Sequence, residues 1–266
     1  MKRLQRQKGF TLVELAIVLT IIGLLIGGIL KGQALINNAK VTSQIAQLQA
    51  VEAAYTTFQS TYNALPGDMS SATTRLPNCT GTTVSNCYDG AGNGSIWTGT
   101  AANLALSNIA TTAFVTANNG TITNDEPQFW SHLAYSGLIS GVNATAVVPI
   151  SAGGVFPAAK AGSGASLMVE TFNAAPVAAN PAWAGVYVVV LQNVLANPTT
   201  GVGAGALTPG AAAQIDRKTD DGIADSGSVQ GYGVLLSCVT PATTNNNEGY
   251  LESSNSTDCD LAYQLN

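Results

Sequence analysis

Four aspartates, Asp216, Asp220, Asp221 and Asp225, fall within ten residues of one another around Gly222. Carboxylates this close repel one another unless solvent or a cation lies between them. Calcium suits such a group because it accepts about six to eight oxygens in flexible geometry. The spacing is not that of an EF-hand, since the acids do not alternate and the loop lacks its terminal glutamate, so a solvated acidic turn competes with calcium. Asp89, with Gly90, Gly92, Asn93 and Gly94 after it, forms a second polar group that a tight glycine turn accounts for more simply than an ion does.

The other reactive side chains are few. Four cysteines, Cys79, Cys87, Cys238 and Cys259, form an even set that suits an oxidising compartment. Three pairings are open, and locality favours Cys79 with Cys87 and Cys238 with Cys259. Zinc is disfavoured because no Cys-x-x-Cys knuckle is present. The single histidine, His132, lies beside Trp130 and Leu133 in a predicted helix and reads as a packed residue rather than a base. No Ser-x-x-Lys pattern and no Gly-x-Ser-x-Gly elbow occurs, so nothing in the chain assembles a nucleophile, and no enzymatic activity is expected. Only 9% of the 266 residues are charged, against about 25% in an ordinary soluble domain. Beyond Gly9 six basic residues face fifteen acidic ones, a balance of −9 that disfavours binding to a phosphate backbone, and no nucleic-acid partner is expected.

Phe10 to Leu30 is apolar except for Glu14. As a helix it would be ~31 Å long, enough to cross a bilayer. Lys2, Arg3, Arg6 and Lys8 precede it and should stay cytoplasmic, sending the remainder outward. No Ala-x-Ala site follows Leu30, so the apolar helix should be retained. A carboxylate within such a span costs about 2.5–3.5 kcal/mol and therefore implies a partner or a function. Cleavage between Gly9 and Phe10 would create an amino group one helical turn from Glu14, on the same chain or on a neighbouring copy.

Lys8-Gly9-Phe10-Thr11-Leu12-Val13-Glu14 followed by an apolar run resembles the class III signal of type IV pilins and of the pseudopilins of type II secretion. The resemblance implies cleavage after Gly9 by a prepilin peptidase, N-methylation of Phe10, and pairing of Glu14 with the N-terminus of a neighbouring subunit during filament assembly. One departure is Lys31, which stands near the place where many pilins carry a proline; Gly23, Gly27, Gly28 and Gly32 can loosen the helix or permit close packing. Four internal segments also resemble a recurrent set in pilin-like proteins. They are residues 62–68 (YNALPGD), 92–94 (GNG), 126–137 (EPQFWSHLAYSG) and 215–222 (IDRKTDDG). Pseudopilins and some pilins hold calcium near their C-terminal strands, and in many pilins a C-terminal disulfide bounds an exposed loop. Residues 240–258 have the polarity of such a loop.

These residues need elements to position them. Val41, Ile45, Leu48, Val51, Tyr55, Phe58 and Tyr62 make the apolar stripe of an amphipathic helix, with Gln44, Gln47, Glu52 and Gln59 assigned to its opposite face and Pro66-Gly67 ending it. A further helix is predicted over 126–136, with Asp125 near its cap and Gly137 as its stop. Strands are predicted over 167–172, 186–195, 233–239 and 261–265. Residues 141–165 and 196–210 read as surface loops. The expected organisation is a cleaved leader (1–9), a membrane or filament-core helix (10–30), its amphipathic continuation (31–62) and an extracytoplasmic head (63–266). The expected fold is α+β and pilin-like, a long N-terminal helix packed on a C-terminal antiparallel sheet. The expected role is a filament subunit of a type IV pilus, with a pseudopilin and a pilin-anchored adhesin as the alternatives. Its expected partners are further copies or other pilins, the prepilin peptidase and the inner membrane. The expected location is the inner membrane before assembly and an extracellular filament or periplasmic pseudopilus after it.

Overall fold

The computed structural model describes residues 11–81, 87–96, 125–143, 154, 156–162, 164–172, 185–192, 205–233, 238–240, 249–257 and 259–266. The chain divides into two units, Met1–Lys40 and Val41–Asn266. Helix α1 covers Leu12–Tyr62, and short helix α2 covers Ala72–Arg75. Helix α3 (Asp125–Tyr135), strands β1 (Ala165–Phe172) and β2 (Gly185–Gln192), helix α4 (Pro209–Thr219), and strands β3 (Val229–Gly233) and β4 (Cys259–Leu265) follow. This is the α+β arrangement expected from the sequence, a long N-terminal helix against a four-stranded antiparallel sheet.

In the first unit, large apolar side chains of α1 from Leu12 to Ile36 are exposed, Leu12 by 90% and Leu24 by 79%. Fifteen such side chains left in water would forgo on the order of 20 kcal/mol of burial. Among the described residues α1 alone is long and apolar enough to cross a membrane, and lipid or other helices are the surroundings this stretch suits.

In the second unit the rest of α1 is amphipathic. Val41, Leu48, Val51, Tyr55 and Phe58 are buried, and Ile45 and Tyr62 pack at the margin of the core. The polar residues depart from expectation. Gln44 is fully buried, because it stands three residues after Val41 and four before Leu48 and so falls within the apolar stripe. Its Oε1 accepts from the backbone N–H groups of Lys160 (2.7 Å) and Ala161 (2.9 Å). Gln47 donates to the Ala158 carbonyl at 2.9 Å, and the Glu52 carboxylate accepts from the Tyr263 hydroxyl at 2.5 Å. These polar side chains tie α1 to the body instead of facing solvent.

The sheet has the order β1-β2-β4-β3. Ala165 pairs with Gln192 and Phe172 with Gly185, Val186 with Leu265, and Val229 with Tyr263. Leu167, Met168 and Val169 are all buried, so both faces of β1 are covered, which suits an unbroken apolar run. β1, β2 and β4 begin one or two residues ahead of the predicted strands, and residues 193–195 lie outside the described residues. The strand predicted over 233–239 is displaced: β3 ends at Gly233, residues 234–237 lie outside the described residues, and Val239 makes an isolated bridge with Tyr250. The predicted surface segment 141–165 contains buried side chains, among them Phe156, Ala161 and Ala165. Helix α4 begins inside the other predicted loop, 196–210. Thr208 caps it by accepting from the Ala211 N–H at 3.3 Å, and Pro209 occupies its first turn, where no N–H is needed.

Candidate functional site

Thr11 is the N-cap of α1 and Glu14 the third residue within it. The Thr11 N–H and hydroxyl both donate to Glu14 Oε2, at 2.8 and 2.9 Å, while the Glu14 N–H donates back to the Thr11 hydroxyl at 3.3 Å. This is a capping box, which satisfies orphan donors at the helix start and fixes the carboxylate over the first turn. One Glu14 oxygen carries these bonds, which leaves the carboxylate able to receive a cation beside the helix start. Gly9 and Phe10, the expected cleavage and methylation positions, lie outside the described residues.

The acidic cluster forms where α4 ends. One carboxylate oxygen from each of Asp216, Asp220 and Asp221 lies within 4.8 Å of the others. Such a group can hold a divalent cation. Asp225, named with them in the sequence, is not part of that group. Asp216 is buried; its Oδ1 accepts from the Gly222 N–H at 3.0 Å and its Oδ2 from the Tyr250 hydroxyl at 2.8 Å. Burial pushes Asp216 up to about 6, against the opposing pull of those two bonds, and the neighbouring Asp221 and Asp220 add to the rise. Asp220 Oδ2 accepts from the N–H groups of Ser228 and Val229. Asp221 accepts from the Ile223 N–H at 2.9 Å and from the Ser226 hydroxyl at 2.5 Å. The cluster therefore also shapes the turn into β3.

The same place anchors the C-terminal loop. Cys79 is bonded to Cys87 and Cys238 to Cys259, with Cα separations of 5.1 and 5.0 Å. Within the second loop, Thr240 and Gly249 exchange backbone and side-chain bonds, and Leu251 donates to the Cys238 carbonyl at 2.8 Å. Tyr250 reaches Asp216, and Arg217 pairs with Glu252 at 2.7 Å. Gly231 of β3 makes room for this, since a Cβ there would lie 2.4 Å from the Tyr250 ring.

A third arrangement brings together segments that the sequence keeps apart. His132 is buried, and its Nδ1 accepts from the Gly67 N–H at 2.9 Å. Its Nε2, 2.8 Å from the Tyr88 carbonyl, must then carry the proton and donate it. Burial drives His132 down to about 4, so the ring is neutral at pH 7 and acts as a strut between two loops. Gln128 Oε1 accepts from the Tyr88 N–H at 2.9 Å. Asp68 accepts from the N–H groups of Asn93 (2.8 Å) and Gly94 (2.7 Å), and the Asp68 carbonyl from that of Gly92 (2.8 Å). Asp89 accepts from the Thr73 N–H and hydroxyl. The loop after Tyr88 is thus a glycine turn folded onto carboxylates. The segments 62–68, 92–94 and 126–137 singled out in the sequence meet here, but their hydrogen-bond partners were not predictable from spacing.

Residues 4–30 match the family model described as the prokaryotic N-terminal methylation motif. No curated protein and no solved structure matches the chain. A methylation motif at the start of a long apolar N-terminal helix, followed by a helix-on-sheet head, is consistent with a pilin or pseudopilin subunit.

Proposed function

We propose that the chain is the prepilin of a type IV pilus or a related filament. The observation that carries this reading is the methylation motif running directly into a helix whose apolar side chains are exposed from Leu12 to Ile36. A prepilin peptidase removes residues 1–9 by cutting after Gly9 and methylates the new amine of Phe10. The subunit waits in the inner membrane with residues 63–266 outside the cytoplasm. It then exchanges lipid contact for contact with neighbouring helices, so that residues 10–30 line a filament core without meeting water. Glu14, fixed by Thr11, receives the amine of an adjacent copy. Mass spectrometry of the exported protein tests the processing step: a mature chain beginning at methylated Phe10 supports it, and an intact Met1 refutes it. A Glu14→Ala subunit that enters filaments normally would remove Glu14 from assembly.

The carboxylates of Asp216, Asp220 and Asp221 support calcium as the cation of the C-terminal region, and the same feature favours a type II secretion pseudopilin as the second reading. Calcium should raise the melting temperature of the wild type and not that of Asp220→Asn. Equal shifts in both would assign the cluster to turn formation alone. Deletion separates pilin from pseudopilin: loss of surface fibres marks the first, and failed protein secretion without loss of fibres marks the second.

A further inference from the structure

Helix α3 turns one face, Asp125, Gln128, Phe129 and His132, toward residues 67–68 and 88–94. Approach is close: a Cβ on Gly67 would lie 2.4 Å from the Asp125 carbonyl oxygen, and one on Gly90 would lie 2.0 Å from the Gly67 carbonyl oxygen. Successive N–H groups of the glycine turn point at two carboxylates. Ala91 donates to Asp125, and Asn93 and Gly94 donate to Asp68. A cradle of N–H groups attracts negative charge and repels a metal ion.

Two carboxylates in one cradle are nevertheless one charge too many. Asp68 is 5% exposed and Asp125 1%, and Asp125 Oδ2 is buried without a hydrogen-bond partner among the described residues. Among the described residues, the other titratable groups facing this place are Asp89, which adds negative charge, and His132, whose neutral ring adds none. An ionised, unpartnered, buried oxygen beside a second carboxylate is costly, and a bound proton removes that cost. We propose that the junction of α3 with residues 67–68 and 88–94 is a proton-operated clasp, closed while Asp125 is protonated and loosened when Asp125 ionises beside Asp68. Burial, then repulsion from Asp68, lifts Asp125 to about 6, so release falls between mildly acidic and neutral pH. On the acid side, protonation of His132 near 4 removes the acceptor for Gly67, so the clasp holds best between these two limits.

Amide hydrogen exchange of the full-length protein in detergent, followed by NMR and corrected for the intrinsic rate, tests the clasp. Protection of Ala91, Gly92, Asn93 and Gly94 should fall by up to about tenfold from about pH 5 to about pH 7.5, the part of a two-unit carboxyl displacement that lies within this range. The amides paired between β2 and β4 should hold theirs. In Asp125→Asn, which keeps the shape and loses the charge, protection of the turn should no longer vary with pH. Unvarying protection in the wild type, or the same fall in Asp125→Asn, overturns the proposal. So does full restoration at about pH 7.5 by millimolar calcium, which would make a cation the occupant. Should Asp125→Asn not fold, the carboxyl carbon of Asp125 in the wild type decides: titration near 6 supports the clasp, and titration at the ordinary carboxylate value of about 3.9 overturns it.

Discussion

Replacing His132 by alanine separates a structural histidine from an idle one through the pH dependence of stability. At about pH 7.5 the variant leaves the Gly67 N–H and the Tyr88 carbonyl without their shared partner and opens a gap beside Phe58, whose ring stacks on the imidazole at a centroid distance of 6.3 Å. Two buried groups left unsatisfied and a lost ring cost about 4 kcal/mol together. The unfolded ring takes a proton below its ordinary value of 6.5, whereas the folded ring resists until about 4. Stability contributed by neutral His132 is thus complete above about pH 6.5, falls as pH falls, and is gone below about 4. At about pH 4.5 the wild type has given up roughly 2.5 kcal/mol of it, and the alanine variant has nothing to lose. The gap between the two proteins should shrink from about 4 to about 1.5 kcal/mol. Urea unfolding in detergent, followed by tryptophan fluorescence at the two pH values, measures this gap directly. Asp216, which shifts stability in the opposite sense over the same range, is common to both proteins and cancels in the difference. A gap that stays constant with pH would refute the neutral, bridging histidine.

Gly90→Ala forces a Cβ into the Gly67 carbonyl and should destabilise the head by 3 kcal/mol or so, more than any propensity effect, seen as a lower urea midpoint. Gln44→Ala strands the Ala161 N–H, leaves the Lys160 N–H only its longer bond to Gln47 Oε1, and should cost about 2 kcal/mol, whereas Gln49→Ala on the exposed side of α1 should change the midpoint little. Replacing Cys238 and Cys259 together by serine should cost about 3 kcal/mol through the freed loop, seen as a lower melting temperature, and reduction of the wild type, which also opens Cys79–Cys87, should lower it further.

The elements with a strong period were legible in the sequence. The stripe from Val41 to Tyr62 marked the amphipathic part of α1, and the valine-rich run at 186 marked β2. Helix α4 starts within the Ala- and Gly-rich stretch 196–210, whose composition reads as a loop, although Thr208-Pro209 is a helix start signal. Gln44 was misplaced because polarity was taken to mean solvent, when a glutamine can serve backbone groups inside the core. The acids at the end of α4 were visible, yet the role of Tyr250 was not, since it stands 34 residues from Asp216. His132 was rightly read as packed, but its partners at separations of 65 and 44 residues are a product of topology, which spacing does not encode.

The sheet order places β4 between β2 and β3, although β4 follows both of them in the chain. A chain cut short of Cys259 leaves β2 with one open edge, β3 without its partner strand and Cys238 without its disulfide partner. Products cut short of Cys259 would present those open strand edges to proteases, so β4 protects the two strands it joins.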